Sequence, residues 1–203
     1  MDFTGGITLS EAIPFSIFRE LGRTLTYTIP SFALLWYMIS EKKGFQAIKN
    51  EKPRMGDLFS FTAGLPGLIL IGLGISLLTM FFPFHQGMSL PPKVEAPISI
   101  IGWIVMIISC LGTGYLEESF FRFYLLTVLE KPLPQAVLRI MLSTLMFSLC
   151  HVYEGPWGIL NSILAGVLLS MLFVRFRSLH GIAWAHGGYN IFVYVMGNFS
   201  SRI

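Results

Sequence analysis

Long apolar runs separated by short polar segments recur along the whole chain. A helix needs about 20 residues to cross a hydrocarbon layer of about 30 Å, and most of the runs approach that length. Six runs predict six transmembrane helices, at residues 24–40, within 58–84, from 98 to about 129, and at 135–152, 157–174 and 179–198. The pattern predicts an all-α, polytopic transmembrane helix bundle.

The N-terminal segment differs from these runs. Residues 7–22 mix apolar and charged side chains, which is typical of a helix lying at the membrane interface. We therefore expect an N-terminal interfacial helix before the first span.

The third run is too long for a plain span. Polar residues enter it near its end, yet no turn signal interrupts it before Pro132 and Pro134. The sequence Gly112-Thr113-Gly114 is where a bend or break is expected, because glycine weakens a helix.

Composition supports a membrane protein. Hydrophobic residues make up 54% of the 203 residues and charged residues only 12%, and the mean hydropathy is +0.68. No room is left for a separate soluble domain, so residues 1–203 are predicted to form one integral membrane domain.

The net charge of +3 does not indicate nucleic-acid binding, because the basic residues lie at the ends of apolar runs. Their densest cluster, at residues 41–57, predicts a cytoplasmic first loop and external termini.

Three charged residues interrupt the apolar pattern, directly after a charge-free run at residues 96–116. These are Glu117, Glu118 and Arg122. One ionised side chain near the centre of a membrane helix costs roughly 2.5 to 3.5 kcal/mol, so these residues need partners or a polar cavity. Glu118 and Arg122 are four residues apart and share a helix face, whereas Glu117 lies about 100° away. We predict that Arg122 neutralises Glu118 and that Glu117 is free to act as a general base. Alternatively, all three form an ion network that serves packing alone.

Two later runs contain suitable partners. His151 follows Phe147 by one helical turn, where it can orient a water molecule or serve packing. His186 and Asn190 are also one turn apart, and together they can stabilise an oxyanion or make an ordinary interhelical hydrogen bond.

The three motifs, in this order on hydrophobic segments, resemble one family. They are Glu-Glu-x-x-x-Arg, Phe-x-x-x-His and His-x-x-x-Asn, over about residues 98–200. The resemblance is to the CPBP family, which comprises type II CAAX-prenyl endopeptidases and bacteriocin-processing or immunity proteins, formerly called the abortive-infection family.

The resemblance implies an intramembrane endopeptidase in a bacterial or archaeal cytoplasmic membrane. Its substrate would be a membrane-anchored or membrane-proximal peptide. By the same resemblance, Glu117 would activate water, His151 would help to hold that water, and His186 with Asn190 would stabilise the oxyanion. Glu118, Arg122 and Phe147 would support the site.

Two alternatives remain at this point. Glu117, His151 and His186 can also form the three-ligand set of a catalytic zinc ion, although the amide of Asn190 is a poor zinc ligand and a metal-free mechanism is favoured. The second alternative is a non-proteolytic immunity or scaffold protein that retains the polar residues for packing.

Overall fold

The computed structural model describes residues 15–40, 54–81 and 95–199, and these residues form a bundle of helices without a β-strand. Within these described ranges, seven α-helices follow one another. They are α1 (Ile17–Arg23), α2 (Ile29–Ser40), α3 (Met55–Phe81), α4 (Ile100–Glu118), α5 (Ala136–Leu149), α6 (Gly155–Phe176) and α7 (Leu179–Phe199). The predicted all-α membrane bundle is thereby confirmed.

In the part of the chain that the structure describes, three helical segments are long and apolar enough to cross a membrane, namely Met55–Thr79, Ile100–Leu126 and Val152–Phe176. Large apolar side chains such as Ile100, Ile101 and Ile104 point away from the bundle. Lipid is the solvent that makes such a surface favourable, so the chain is an integral membrane protein.

The end of the expected interfacial helix, at Ile17–Arg23, is helical and continues directly into the first predicted span. Helices α1 and α2 form one rod, joined by a π-helical turn at Thr24–Thr28. In that turn the N–H of Ile29 donates to the carbonyl of Thr24, five residues back. Pro30 follows at once, and its ring cannot fit against a carbonyl four residues earlier, so the preceding turn widens. Residues 7–14 of the expected interfacial helix lie outside the described residues.

The expected break at Gly112-Thr113-Gly114 is also wrong. Helix α4 continues without interruption to Glu118, and the irregular turn comes afterwards as a π-helix at Ser119–Leu126. Ser143 on α5 donates a hydrogen bond of 2.7 Å to the carbonyl of Phe121 in this segment. The π-helix therefore has a specific contact with its neighbour.

The glycines of α4 serve close packing instead. Helix α7 packs against both α4 and α3. A Cβ atom at Gly114 would lie 2.8 Å from the backbone nitrogen of Gly187, and one at Gly187 would lie 2.9 Å from the Cα of Leu111. The backbones of α4 and α7 thus touch where both residues are glycine, as small residues allow in membrane bundles.

Polar contacts join the helix ends on one side of the bundle. Arg177 pairs with Glu130 at 2.5 Å, and this hydrogen bond holds the pKa of the Glu130 carboxyl below its usual value. Arg54 donates to the carbonyl of Arg177, and Ser178 donates to Asp57. If successive spans alternate in direction, the chain segments that contain these residues lie on the same membrane face. The contacts between them agree with that arrangement. Most of the basic cluster, at residues 41–53, lies outside the described residues.

The glycine contact generates a first prediction. Gly114→Ala should destabilise the bundle by roughly 1–3 kcal/mol, because the new methyl group has no room against the α7 backbone. The free energy of unfolding in mixed micelles, followed by circular dichroism, measures the effect.

Gly74→Ala is the matched control. A Cβ at Gly74 would meet nothing within 4 Å, so the same substitution there should be neutral or stabilising. Equal behaviour of the two variants would contradict the close contact of α4 and α7.

Candidate active site

The predicted pair between Glu118 and Arg122 is present and lies in the bundle interior. Both side chains are 0% exposed, and Nη1 of Arg122 donates to Oε1 of Glu118 at 2.8 Å. His186 on α7 approaches the same oxygen through Nδ1 at 2.7 Å. A carboxylate can only accept, so Nδ1 of His186 carries the proton in this contact. Glu118 is therefore held by partners from two chain segments.

Phe147 supplies a second partner for the arginine. The guanidinium carbon of Arg122 lies 4.3 Å from the centre of the buried Phe147 ring, which is a cation–π contact. The same ring lies at 6.0 Å from the ring of His186 and 4.5 Å from that of His151. The Phe147 ring thus contacts one residue of each of the three motifs, namely Arg122, His151 and His186.

Glu117 is placed differently from its neighbour. Its side chain is 25% exposed and lines a cavity of about 660 Å³, with one carboxylate oxygen 3.6 Å from Nε2 of His186. The 100° between successive helix positions explains why Glu118 is sealed in the bundle while Glu117 faces the cavity. A carboxylate at this position can take a proton from a water molecule in the cavity.

His151 lines the same cavity, but it does not lie on α5 as predicted. Helix α5 ends at Leu149, and His151 directly precedes the 3₁₀ turn Val152–Glu154. Nδ1 of His151 is 2.9 Å from the carbonyl oxygen of Phe147, which can only accept. The neutral ring is therefore left with a lone pair on Nε2, which can accept a hydrogen bond from water.

The structure brings all four predicted catalytic residues to one cavity. Asn190 lines it one turn after His186, and Glu117 and His151 line it from other segments. The early end of α5 allows the chain at His151 to turn inwards.

Several lining residues were missed by the sequence analysis. Arg23 on α1 faces the cavity although it lies far from the three motifs in the chain. Asn161 on α6 and Tyr189 on α7 also line it. Asn161 is a polar residue in an apolar run, and this pattern could have indicated a buried polar site. Nothing in the local sequence around Arg23 relates it to the cavity.

The side chains present do not form a ready metal site. Within the described part of the chain, no group of three His, Cys, Asp or Glu side chains is arranged to hold a metal ion. Nδ1 of His186 is engaged by Glu118 and Nδ1 of His151 by a carbonyl, so a metal ion at these residues would have to bind through their Nε2 atoms.

Comparison with known protein families covers most of the residues that line this cavity. Residues 99–192 match the family model described as type II CAAX prenyl endopeptidase Rce1-like. The family resemblance seen in the motifs is confirmed for this region, and the family is one of membrane proteases. Comparisons with curated proteins and with solved structures gave no significant match. Arg23 lies outside the matched region.

The buried pair generates a second prediction. Arg122→Met should lower the free energy of unfolding by about 3–5 kcal/mol, because it leaves the Glu118 carboxylate buried without its cation. The double variant Glu118→Gln/Arg122→Met should recover much of this loss, since no uncompensated charge remains. Unfolding in mixed micelles measures both.

Glu117→Gln is the matched control for stability. Its side chain reaches the cavity, so we expect a change below about 1 kcal/mol. An Arg122→Met variant as stable as Glu117→Gln would show that the pair does not stabilise the bundle.

Proposed function

We propose that this chain, with its type II CAAX prenyl endopeptidase Rce1-like region at residues 99–192, hydrolyses a peptide bond of a membrane-associated substrate. The reaction uses water activated by Glu117. The observation that carries the proposal is the placement of Glu117 at the cavity beside His186, while its neighbour Glu118 is buried and paired. CAAX-type, leader and bacteriocin-type peptides are the candidate substrates.

In the proposed reaction Glu117 takes a proton from water, and the water oxygen forms a bond to the carbonyl carbon of the substrate. The carbon–nitrogen bond then breaks, and the proton passes from Glu117 to the leaving nitrogen, so atoms and charges balance. His151 accepts a hydrogen bond from the attacking water through its free Nε2. This role is supported by the engagement of Nδ1 with the Phe147 carbonyl.

Asn190 and His186 are proposed to stabilise the oxyanion of the tetrahedral intermediate. The amide of Asn190 can donate at any pH. Nε2 of His186 can donate only when the ring is doubly protonated, because Nδ1 already donates to Glu118. A protonated His186 would bring the total charge of Glu117, Glu118, Arg122 and His186 to zero. A neutral cluster is less costly in a membrane interior, which supports this form.

The role of Glu117 gives a third prediction. Glu117→Gln should lower cleavage of membrane peptides by at least about 10³-fold, because the amide cannot accept the proton. His151→Ala and His186→Ala should also abolish cleavage, although His186→Ala removes a Glu118 partner as well. Mass spectrometry of membrane peptides from cells with the native chain and with each variant identifies the substrates and measures the loss.

Glu130→Gln is the control for this series. It makes the same substitution at the opposite end of the bundle, in an exposed ion pair worth at most about 1 kcal/mol, and should cleave normally. Full activity of Glu117→Gln would refute the assignment. A Glu117→Gln variant that keeps the cellular phenotype without cleavage would favour the non-proteolytic alternative.

Metal dependence gives a fourth prediction. Activity should survive dialysis against a strong chelator, because the proposed steps use only side chains and water. Elemental analysis of the treated protein, combined with the cleavage assay, makes the measurement. Activity that is lost with the metal and restored by zinc would replace this mechanism with a metal-assisted one.

A further inference from the structure

Among the described residues, the cavity lining changes from exposed at one end to buried at the other. Helix α6 runs along the cavity, and Glu154 directly precedes this helix while Leu169 lies near its C-terminal end. Tyr153, next to Glu154, is 76% exposed, whereas Leu169 is 0% exposed, and both residues line the cavity. The mouth of the cavity therefore lies at the N-terminal end of α6.

Buried apolar side chains close the bundle beyond Leu169. Phe173 lies one turn further along α6 and packs in one core cluster with Leu126 and Ile182. Each of these three residues is at most 2% exposed. Arg177 follows one turn after Phe173, just beyond the end of α6. In the described part of the chain, packed side chains thus separate the cavity from the Arg177 end of the bundle.

Lysine and arginine residues concentrate in the segments at this closed end. Of the 14 in the chain, nine belong to these segments, with five at residues 42–54, two at 131–139 and two at 175–177. Four belong to segments at the end with the mouth, namely α1 and the segments before α4 and after α7, and Arg122 lies in the interior. Arg54 donates to the carbonyl of Arg177 at 3.3 Å, so the segment before α3 and the segment after α6 meet.

This asymmetry gives the bundle an orientation in the membrane. Segments rich in lysine and arginine remain in the cytoplasm when a membrane protein inserts, and acidic residues contribute little to this preference. The ion pair of Arg177 with Glu130 therefore does not weaken it. By this rule the closed end faces the cytoplasm, and the mouth, with Tyr153 and Glu154, faces the external side.

We propose that the substrate reaches the cavity from the external side of the membrane and is a peptide chain that has been exported. This inference rests on the proposed function, because it states from which side a scissile bond approaches Glu117. Among the CAAX-type, leader and bacteriocin-type candidates, it selects peptides that leave the cytoplasm. The C-terminus of a protein that stays in the cytoplasm would instead meet the closed end and its packed core.

The orientation is tested with Cys150, which is exposed and lies at the C-terminal end of α5, beside His151. A charged thiol reagent that does not cross membranes is added to intact cells and, in parallel, to permeabilised cells. Cys150 should be labelled in the intact cells, because thiols react as thiolates in water and the mouth faces outwards. Cys150→Ser should abolish the label, since Cys110, the other cysteine of the chain, is buried.

Gln135 is the matched position at the opposite end of the same helix. It is exposed, and its side chain makes no capping hydrogen bond. In the Cys150→Ser chain, Gln135→Cys should be labelled only after permeabilisation. If Cys150 reacts in neither preparation, Tyr153→Cys at the mouth replaces it as the external reporter and is read in the same way.

The origin of the substrate is tested by labelling the products. Hydrolysis of a peptide bond creates a new N-terminal amine, and an amine reagent that does not cross membranes should mark it in intact cells that carry the native chain. Mass spectrometry identifies the marked peptides. Cells with Glu117→Gln should lack them.

Labelling of Gln135→Cys in intact cells, without labelling of Cys150 or Tyr153→Cys, would overturn the inference. So would labelling at both ends, which is expected of a chain that inserts in two orientations, or new N-termini that are marked only after permeabilisation. External labelling of Cys150 in cells without any Glu117-dependent product would count against the protease function and in favour of the external mouth. Cleavage with Cys150 on the cytoplasmic side would do the reverse.

Discussion

The buried carboxylate of Glu118 is the constraint on which the rest of the site depends. A charge in the membrane interior is tolerated only when other groups balance and bind it. Arg122 does so from the next helical turn and His186 does so from α7, which fixes how α4 and α7 lie against each other. Their backbones touch at Gly114, which is one turn before Glu118, and at Gly187, which directly follows His186. The close approach and the ionic contact therefore support each other.

The same constraint separates two neighbouring glutamates into different chemical environments. Because Glu118 faces α7, helix geometry turns Glu117 towards the cavity. The π-helix at Ser119–Leu126 follows directly and contains Arg122, whose guanidinium lies over Phe147. Phe147 in turn accepts the ring proton of His151 at its carbonyl. One buried ion pair thus relates the positions of both candidate catalytic histidines.

The N-terminal rod adds a part of the cavity that lies outside the family-matched region. Arg23 reaches the cavity from α1, and Glu20 with Ser109 connects that helix to α4. The Glu130–Arg177 pair lies just beyond the C-terminal end of the 22-residue α6, which is about 33 Å long, whereas Glu154 at the cavity directly precedes its N-terminal end. The Glu130–Arg177 pair and Glu154 are thus at opposite ends of α6.

Much of the fold and of the candidate site was predictable from the sequence, because both are recorded in local patterns. Apolar runs reveal helices, and four-residue spacing pairs Glu118 with Arg122. The wrong predictions concerned irregular backbone. In a sequence, a pair of glycines is compatible with either a helix break or a close contact between helices. The packing of α7 against α4 shows that Gly114 forms a close contact. Likewise, nothing near His151 shows that α5 ends before it. The sequence by itself determined the helices, the buried pair and the chemistry available. The tertiary structure decided which segments meet at the cavity, including Arg23, because contacts between distant segments depend on packing.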